Sequence, residues 1–244
     1  MADILWLQQQ QEDVPQNNDW LSPGELSVLD RLVFLKRRKE WRLGRWTAKC
    51  AFALVYGIPR NNDHLAEIEI RASVSGAPEV FVCDQLARAT ISISHSHGAA
   101  ITAIAPIRIT LGCDLEQIEH HTQVFVEDYF THEEQILLAS ARPRDWALLT
   151  TLIWSAKESA LKAMQLGLRA DTRSVSIELV EGHPASWAAF KVICDQRETF
   201  HGWWRQQDCA IVTMVSGSAS HEPVRLDLHE AESSNETAAL VAKY

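Results

Sequence analysis

Arg108-Ile109-Thr110-Leu111-Gly112-Cys113-Asp114-Leu115 (RITLGCDL) reads as a β-strand near the middle of a chain of 244 residues. It is the point at which the order of elements starts again. Ahead of it come a short strand at Asp3–Leu7, a Gln-rich loop, and a helix opening at Ser22-Pro23-Gly24-Glu25. There Ser22 caps, Pro23 suits the first turn and Glu25 completes a capping box. A second helix is expected over about Glu40–Tyr56, ended by Gly57 and Pro59, followed by β-branched runs at Glu79–Cys83, Ala89–Ser94 and Ala99–Ala105. Behind it the series repeats. A helix follows Thr131, whose THEE sequence is another capping box. A long helix runs from about Asp145 to Met164 and closes at Gly167, and strand-like runs cover Ser174–Val180, Ala188–Cys194 and Cys209–Val215.

Helix, helix and strands thus occur twice, which predicts an α+β fold of two similar α/β halves, packed pseudo-symmetrically with the active site between them. No sequence repeat is visible, so the duplication rests on pattern. The expected boundaries are residues 1–108, residues 109–218 and a polar, flexible tail at 219–244, which has few large apolar residues to bury.

The bulk numbers narrow the function classes. With 46% hydrophobic and 23% charged residues the chain reads as a soluble globular protein. It has no apolar run long enough to span a bilayer, and its first residues lack the basic and apolar regions of a secretory signal. Five scattered cysteines, with no CxxC pair, argue against a zinc site or a disulfide framework and for a reducing, cytoplasmic setting. A net charge of −9 argues against nucleic acid as a partner. Basic residues are concentrated locally, from Lys36-Arg37-Arg38-Lys39 through Arg42, Arg45 and Lys49.

Three stretches carry chemistry. In Gly112-Cys113-Asp114-Leu115-Glu116, strand alternation puts Asp114 and Glu116 on one face, where two carboxylates repel unless a cation or proton intervenes. In Trp154-Ser155-Ala156-Lys157-Glu158-Ser159-Ala160-Leu161-Lys162, Glu158 and Lys162 lie one helical turn apart on one side. The third, Ile91-Ser92-Ile93-Ser94-His95-Ser96-His97-Gly98, is a strand entering a tight polar turn. Taken singly, each has an ordinary explanation. A strand-end carboxylate is usually solvated, Glu158–Lys162 is a favourable helix surface pair worth about 0.3–0.5 kcal/mol, and His95 and His97 suit a turn. An HxH metal site would need further ligands at a spacing the chain does not offer.

Taken in order, the three motifs resemble those of the Sfp-type 4′-phosphopantetheinyl transferases: SHS at Ser94–Ser96, GxDxE at Gly112–Glu116 and WxxKExxxK at Trp154–Lys162. FTHEE at Phe130–Glu134 falls where that family has a similar Phe-x-x-x-Glu. The resemblance spans about residues 20–215. It implies transfer of the 4′-phosphopantetheine arm of coenzyme A to a serine of an acyl or peptidyl carrier protein, with 3′,5′-ADP leaving. It makes residues 1–108 the coenzyme A-binding side and gives residues 109–218 the metal and catalytic residues. Mg²⁺ would be held by Asp114, Glu116 and Glu158, with phosphate oxygens completing its shell. Asp114, Glu158 and Lys162 would be the catalytic group: Glu158, or a water it holds, as base, and Lys162 at the phosphate under attack. Lys157 would support the site from beside Glu158 and belongs to the candidate coenzyme A-binding set. His95 and Ser94 would bind a phosphate of the adenosine moiety. The carrier could belong to fatty acid, polyketide or nonribosomal peptide synthesis, and joined halves in one chain fit a monomer.

Two departures stand out. The family often carries Lys or Arg in the first helix to hold the 3′-phosphate, where this chain has Glu25 and Val28; Arg42, Arg45 and Lys49 on the next helix are the replacements, unless they form only a solvated basic face. The family's Gly-Lys-Pro is here Gly76-Ala77-Pro78. The competing readings are a non-catalytic coenzyme A- or carrier-binding protein of the same fold, which should lack Asp114, Glu158 or Lys162, and another Mg²⁺-dependent phosphotransferase. The latter would be expected to show a glycine-rich phosphate loop, and none is present. Between Glu116 and the long helix, the apolar stretch Phe125-Val126-Glu127-Asp128-Tyr129-Phe130 offers either core packing, expected for Phe130, or a surface for the carrier's apolar helix.

Overall fold

The computed structural model describes residues 4–166, 170–180, 186–194, 199–217 and 221–228. The chain divides into two compact units, one built from Ile4–Arg108 with the segment starting at Val224, the other from Ile109–Pro223. Helix and strand are mixed in both, as an α+β fold requires.

The first unit holds β1 (Leu5–Gln10), α1 (Pro23–Arg31), α2 (Leu35–Tyr56), α3 (Asn62–Glu67), β2 (Ile68–Ala72), β3 (Pro78–Val82), β4 (Gln85–Leu86), β5 (Ala89–Ser96) and β6 (Ala99–Pro106). The second holds β7 (Leu111–Gln117), α4 (Gln123–Tyr129), α5 (His132–Ser140), α6 (Trp146–Ala163), β8 (Val175–Leu179), β9 (Ala188–Cys194), β10 (Thr199–Gln207) and β11 (Ala210–Ser216). A last strand, β12 (Val224–Arg225), returns to the first unit. The sheet order is β12-β1-β6-β5 with a separate β2-β3-β4 ribbon in the first unit, and β7-β11-β10-β9-β8 in the second.

Each unit lays one long helix across its main sheet: α2 on β1, β5 and β6, and α6 on β7 and β11. The same fastening holds each helix down. Glu25 sits at N3 of α1, closes a capping box with Ser22, accepts the Ile70 amide at 3.1 Å and pairs with Lys49 of α2 at 2.5 Å. Glu134 sits at N3 of α5, closes a capping box with Thr131, accepts the Ile177 amide at 2.9 Å and pairs with Lys157 of α6 at 2.9 Å. Both lysines lie in a Trp-x-Ala-Lys frame, Trp46–Lys49 and Trp154–Lys157, and both are fully buried. A charge in such a place persists only when its hydrogen-bonding capacity is met. Lys49 accordingly donates to the Trp20 and Leu65 carbonyls, and Lys157 to those of Thr172 and Val175. The likeness of the halves, faint in the sequence, is explicit in these paired anchors.

Several expectations change. The glutamine stretch is strand rather than loop: β1 runs to Gln10 because an eight-residue β6 offers it partners down to Ala99. Helix α2 begins at Leu35, ahead of Glu40, where Arg38 donates to the Leu29 and Leu32 carbonyls at the end of α1. The elements α3, β2 and β10 had no counterpart in the sequence reading. In β10 the alternation is broken by Gly202, where a Cβ would come within 2.2 Å of the Phe190 ring on β9, so the ring takes that space. The closing Gly167 lies outside the described residues. The expected flexible tail is corrected in its described part. Val224 and Arg225 pair in parallel with Leu5 and Trp6, the Leu226 amide donates to the Trp6 carbonyl, and Leu226 and Leu228 pack on the first unit's core. These leucines supply the apolar area the polar composition obscured. Among the described residues, no helix is long and apolar enough to cross a membrane.

Candidate active site on the seventh strand and sixth helix

Alternation along β7 turns Gly112, Asp114 and Glu116 toward α6, with Cys113 and Leu115 buried on the opposite face. Gly112 makes the approach possible. A Cβ there would lie 1.8 Å from the Ser159 carbonyl oxygen of α6, so any other residue holds strand and helix apart. At that close spacing the side chains of α6 reach Asp114 from two directions. Lys162 Nζ is 2.7 Å from Oδ1 and also donates to the Cys113 carbonyl at 3.1 Å, while the Ser155 hydroxyl donates to Oδ2 at 2.8 Å. Beyond them, the Trp154 indole N–H donates to Glu116 Oε1 at 3.3 Å.

The electrostatics are those of crowded carboxylates. Burial, and then the Asp114 charge, push the Glu116 carboxyl up to about 7, against the opposing pull of Trp154 and Lys162. Glu158 is also raised, chiefly by burial and further by Asp114, with Lys162 pulling the other way. Burial acts to depress Lys162, but Asp114 and Glu158 outweigh it and the ammonium is held above its usual range. Among the described residues, Glu158 Oε1 is buried with no hydrogen-bond partner. No three His, Cys, Asp or Glu side chains among the described residues are gathered as a ready-made metal cluster; Lys162 occupies the place beside Asp114.

An aromatic wall backs the site. Trp154 meets Phe125 edge-on at 5.0 Å and Tyr129 at 5.3 Å between ring centroids, and His121 stacks on Phe125 at 4.4 Å. Val126 and Phe130 are buried in the second unit's core, so neither serves as a docking surface, whereas Tyr129 is 39% and Val124 62% exposed.

Of the residues singled out in the sequence, Asp114, Glu116, Glu158 and Lys162 come together here. Ser94, His95, Arg42, Arg45 and Lys49 belong to the other unit. There the β5–β6 hairpin turns on His97 and Gly98, both with positive φ (48° and 80°), the backbone that a two-residue primed turn needs. His95 stands exposed just before that turn, and Ser94 is buried. Two assignments to phosphate binding are corrected: Lys49 and Lys157 are wholly buried and pledged to Glu25 and Glu134, so neither reaches a ligand in solvent. Arg42 spends its Nη2 on the Pro15, Gln16 and Asn17 carbonyls, pinning that loop. Arg45 lies over the Trp41 ring at 4.8 Å and 3.9 Å from Glu25.

Ser155, which donates to Asp114, and Thr213 and Ser159 behind it are not singled out by the sequence. The signal was present in the one-turn spacing of the two serines on a buried helix face, yet serine in a helix is too ordinary to single out.

The sequence model of the 4′-phosphopantetheinyl transferase superfamily matches residues 110–213, from β7 into β11. A holo-[acyl-carrier-protein] synthase of Enterococcus faecalis is 32% identical over 84 residues, covering 34% of this chain and 71% of that protein. Among solved structures, the Helicobacter pylori holo-[acyl-carrier-protein] synthase in complex with coenzyme A matches at 17% identity and TM-score 0.34, over 42% of this chain and 98% of that one. The Thermotoga maritima synthase matches at 21% identity and TM-score 0.35, over 54% and 76%. With the sequence match centred on the strand and helix that assemble Asp114, Glu116, Glu158 and Lys162, this chain belongs to the 4′-phosphopantetheinyl transferase superfamily.

Proposed function

We propose that this protein transfers 4′-phosphopantetheine from coenzyme A to a serine of an acyl or peptidyl carrier protein, releasing 3′,5′-ADP, in the manner of the Sfp-type members. The observation that carries the reading is the meeting of β7 and α6, which pairs Asp114 with Lys162 and sets Glu116 and Glu158 within electrostatic reach of both, inside the region of the family match. Such a donor set suits a hard divalent cation. Burial and the Asp114 charge raise both Glu116 and Glu158, one oxygen of Glu158 is buried without a partner among the described residues, and all the ligands are oxygens, as Mg²⁺ prefers. Asp114, Glu116 and Glu158 would hold Mg²⁺, which when bound withdraws charge from the substrate's pyrophosphate.

The remaining work falls to the side chains. Glu158, with its carboxyl raised chiefly by burial, takes the proton of the carrier serine directly or through a water. The serine oxygen bonds to the β-phosphorus as the bond to the departing 3′,5′-ADP breaks. Lys162, held cationic by Asp114, offsets the charge that develops there. His95, exposed beside the β5–β6 turn, contacts the adenosine-side phosphate helped by backbone at Ser94, and Arg45 is the one of Arg42, Arg45 and Lys49 left to assist. Tyr129 and Phe125 offer the carrier an apolar surface beside the carboxylates.

The test is intact-mass analysis of apo carrier proteins from fatty acid, polyketide and nonribosomal peptide systems, incubated with coenzyme A and Mg²⁺. A mass gain of one phosphopantetheine on a carrier, matched by 3′,5′-ADP, is the expected result. Unchanged carriers and no 3′,5′-ADP in every case would refute the activity.

A further inference from the structure

Three hydroxyl groups are buried in a row behind Asp114. Ser155, Ser159 and Thr213 are each 0% exposed, and Asp114 is 3% exposed. Ser155 Oγ lies 2.8 Å from Asp114 Oδ2, Thr213 Oγ1 lies 2.9 Å from Ser155 Oγ, and Ser159 Oγ lies 2.6 Å from Thr213 Oγ1. Each hydroxyl has one hydrogen to give. A carboxylate only accepts, so the hydrogen of Ser155 goes to Asp114. Thr213 Oγ1 also donates to the Ser155 backbone carbonyl at 2.9 Å and Ser159 Oγ to the Thr213 carbonyl at 3.2 Å, so the hydrogens of Thr213 and Ser159 are each shared between a carbonyl and the next hydroxyl. With the hydrogen of Ser155 given to Asp114, the two hydroxyl contacts draw on the shared hydrogens of Thr213 and Ser159, and the row runs from Ser159 through Thr213 and Ser155 to Asp114.

We propose that Ser159, Thr213 and Ser155 are positioning residues, a hydroxyl chain that fixes Asp114 so that Oδ2 is spent inward and Oδ1 faces Lys162 and an incoming cation. The inference rests on the reading of Asp114 as a cation-holding carboxylate. In a dry interior each donor polarises the next, so the last hydrogen bond is stronger than an isolated one. The elements supply the geometry. Ser155 and Ser159 are one turn apart on α6, and Thr213 faces Asp114 across the β11–β7 pairing. The chain therefore ties the orientation of one carboxylate to three secondary-structure elements at once. None of its members touches coenzyme A or the carrier in this scheme. Their effect is felt through Asp114 alone, as partners behind a metal ligand commonly act.

Thr213→Val removes the hydroxyl while keeping the shape. Its expected effect is Mn²⁺ binding weakened about ten-fold, read by calorimetry on the intact protein with coenzyme A present. The apparent Mg²⁺ activation constant for transfer should rise in step, with coenzyme A KM at saturating Mg²⁺ little changed. Thr213→Ser, which keeps the hydroxyl and loses a methyl, should restore wild-type Mn²⁺ affinity. Ser159→Ala, which cuts the chain at its far end, should move Mn²⁺ affinity the same way by a smaller factor, and it stands in should Thr213→Val not fold. If the hydroxyls serve only to fill the core, the variants lose melting temperature and keep wild-type Mn²⁺ affinity, which overturns the proposal. Thr213→Ser as weak as Thr213→Val overturns it too. Failure of the wild type to bind Mn²⁺ would sink the reading of Asp114 itself, and the chain's role with it.

Discussion

Glu158 and Asp114 carry the same charge in the same site, yet their surroundings predict opposite stability effects. Asp114 has Lys162 and Ser155 as partners, whereas Glu158 has a buried oxygen with none among the described residues. Replacing Glu158 by Gln removes a buried like charge and should raise the metal-free melting temperature by about 2–4 °C per kcal/mol relieved, while lowering transfer by about 100-fold or more. Asp114→Asn should lower both, since it leaves Lys162 short of its counter-charge. A Glu158→Gln variant that melts lower than wild type would show that Glu158 is favourably paired. Lys157 stands beside Glu158 in sequence but plays a different part. Its removal strands Glu134 in the core, so Lys157→Ala should cost about 3–5 kcal/mol in denaturant unfolding and leave coenzyme A KM near wild type where the protein is still folded. Lys49→Ala should behave in the same way. The sequence showed all these residues, but it could not tell a lysine aimed at a substrate from one pledged to a buried glutamate. Both have the same helical spacing, and only packing separates them.

At the scale of elements, the site exists because β7 and α6 approach through Gly112. Gly112→Ala puts a methyl where the Ser159 carbonyl already sits. It should destabilise by about 3 kcal/mol and lower transfer beyond what the loss of folded protein explains, because Lys162 and Ser155 are moved off Asp114. Activity per folded molecule equal to wild type would disprove that link. Helix α4 faces two ways, and its residues should divide accordingly. Val126→Ala, in the core, should lose about 1–2 kcal/mol with unchanged carrier KM. Tyr129→Ser should raise the KM for carrier with coenzyme A KM preserved, and an unaltered carrier KM removes Tyr129 from the docking surface. The capping boxes and the long helices were legible in advance, because a cap and an apolar period are local properties. Strand β10 was not, since in Thr199–Gln207 Gly202 on the buried face and Trp203 on the other interrupt the apolar alternation, and the strand is held in place by β9 and β11 on either side.

For the whole molecule, the end of the chain matters more than its composition suggests. Truncation after Ser220 removes β12 with Leu226 and Leu228, and it should lower stability by at least about 2 kcal/mol, measured by thermal or denaturant melts. A truncated protein as stable as the full chain would mean that β1 needs no cover on that edge. What the sequence determined by itself was whatever is fixed within a few residues or carried by a motif: the helix caps, the alternation that sets Asp114 and Glu116 on one face, the one-turn spacing of Glu158 and Lys162, the mixed fold and the family. What only the tertiary structure decided was which charges are spent inside the protein and which remain for a ligand. It committed Lys49 and Lys157 to buried glutamates, set three hydroxyls from two distant segments behind Asp114, and bound the last described residues to the first strand. The physical reason is that a side chain's role follows from its partners and its burial, and those are contributed by residues far away along the chain.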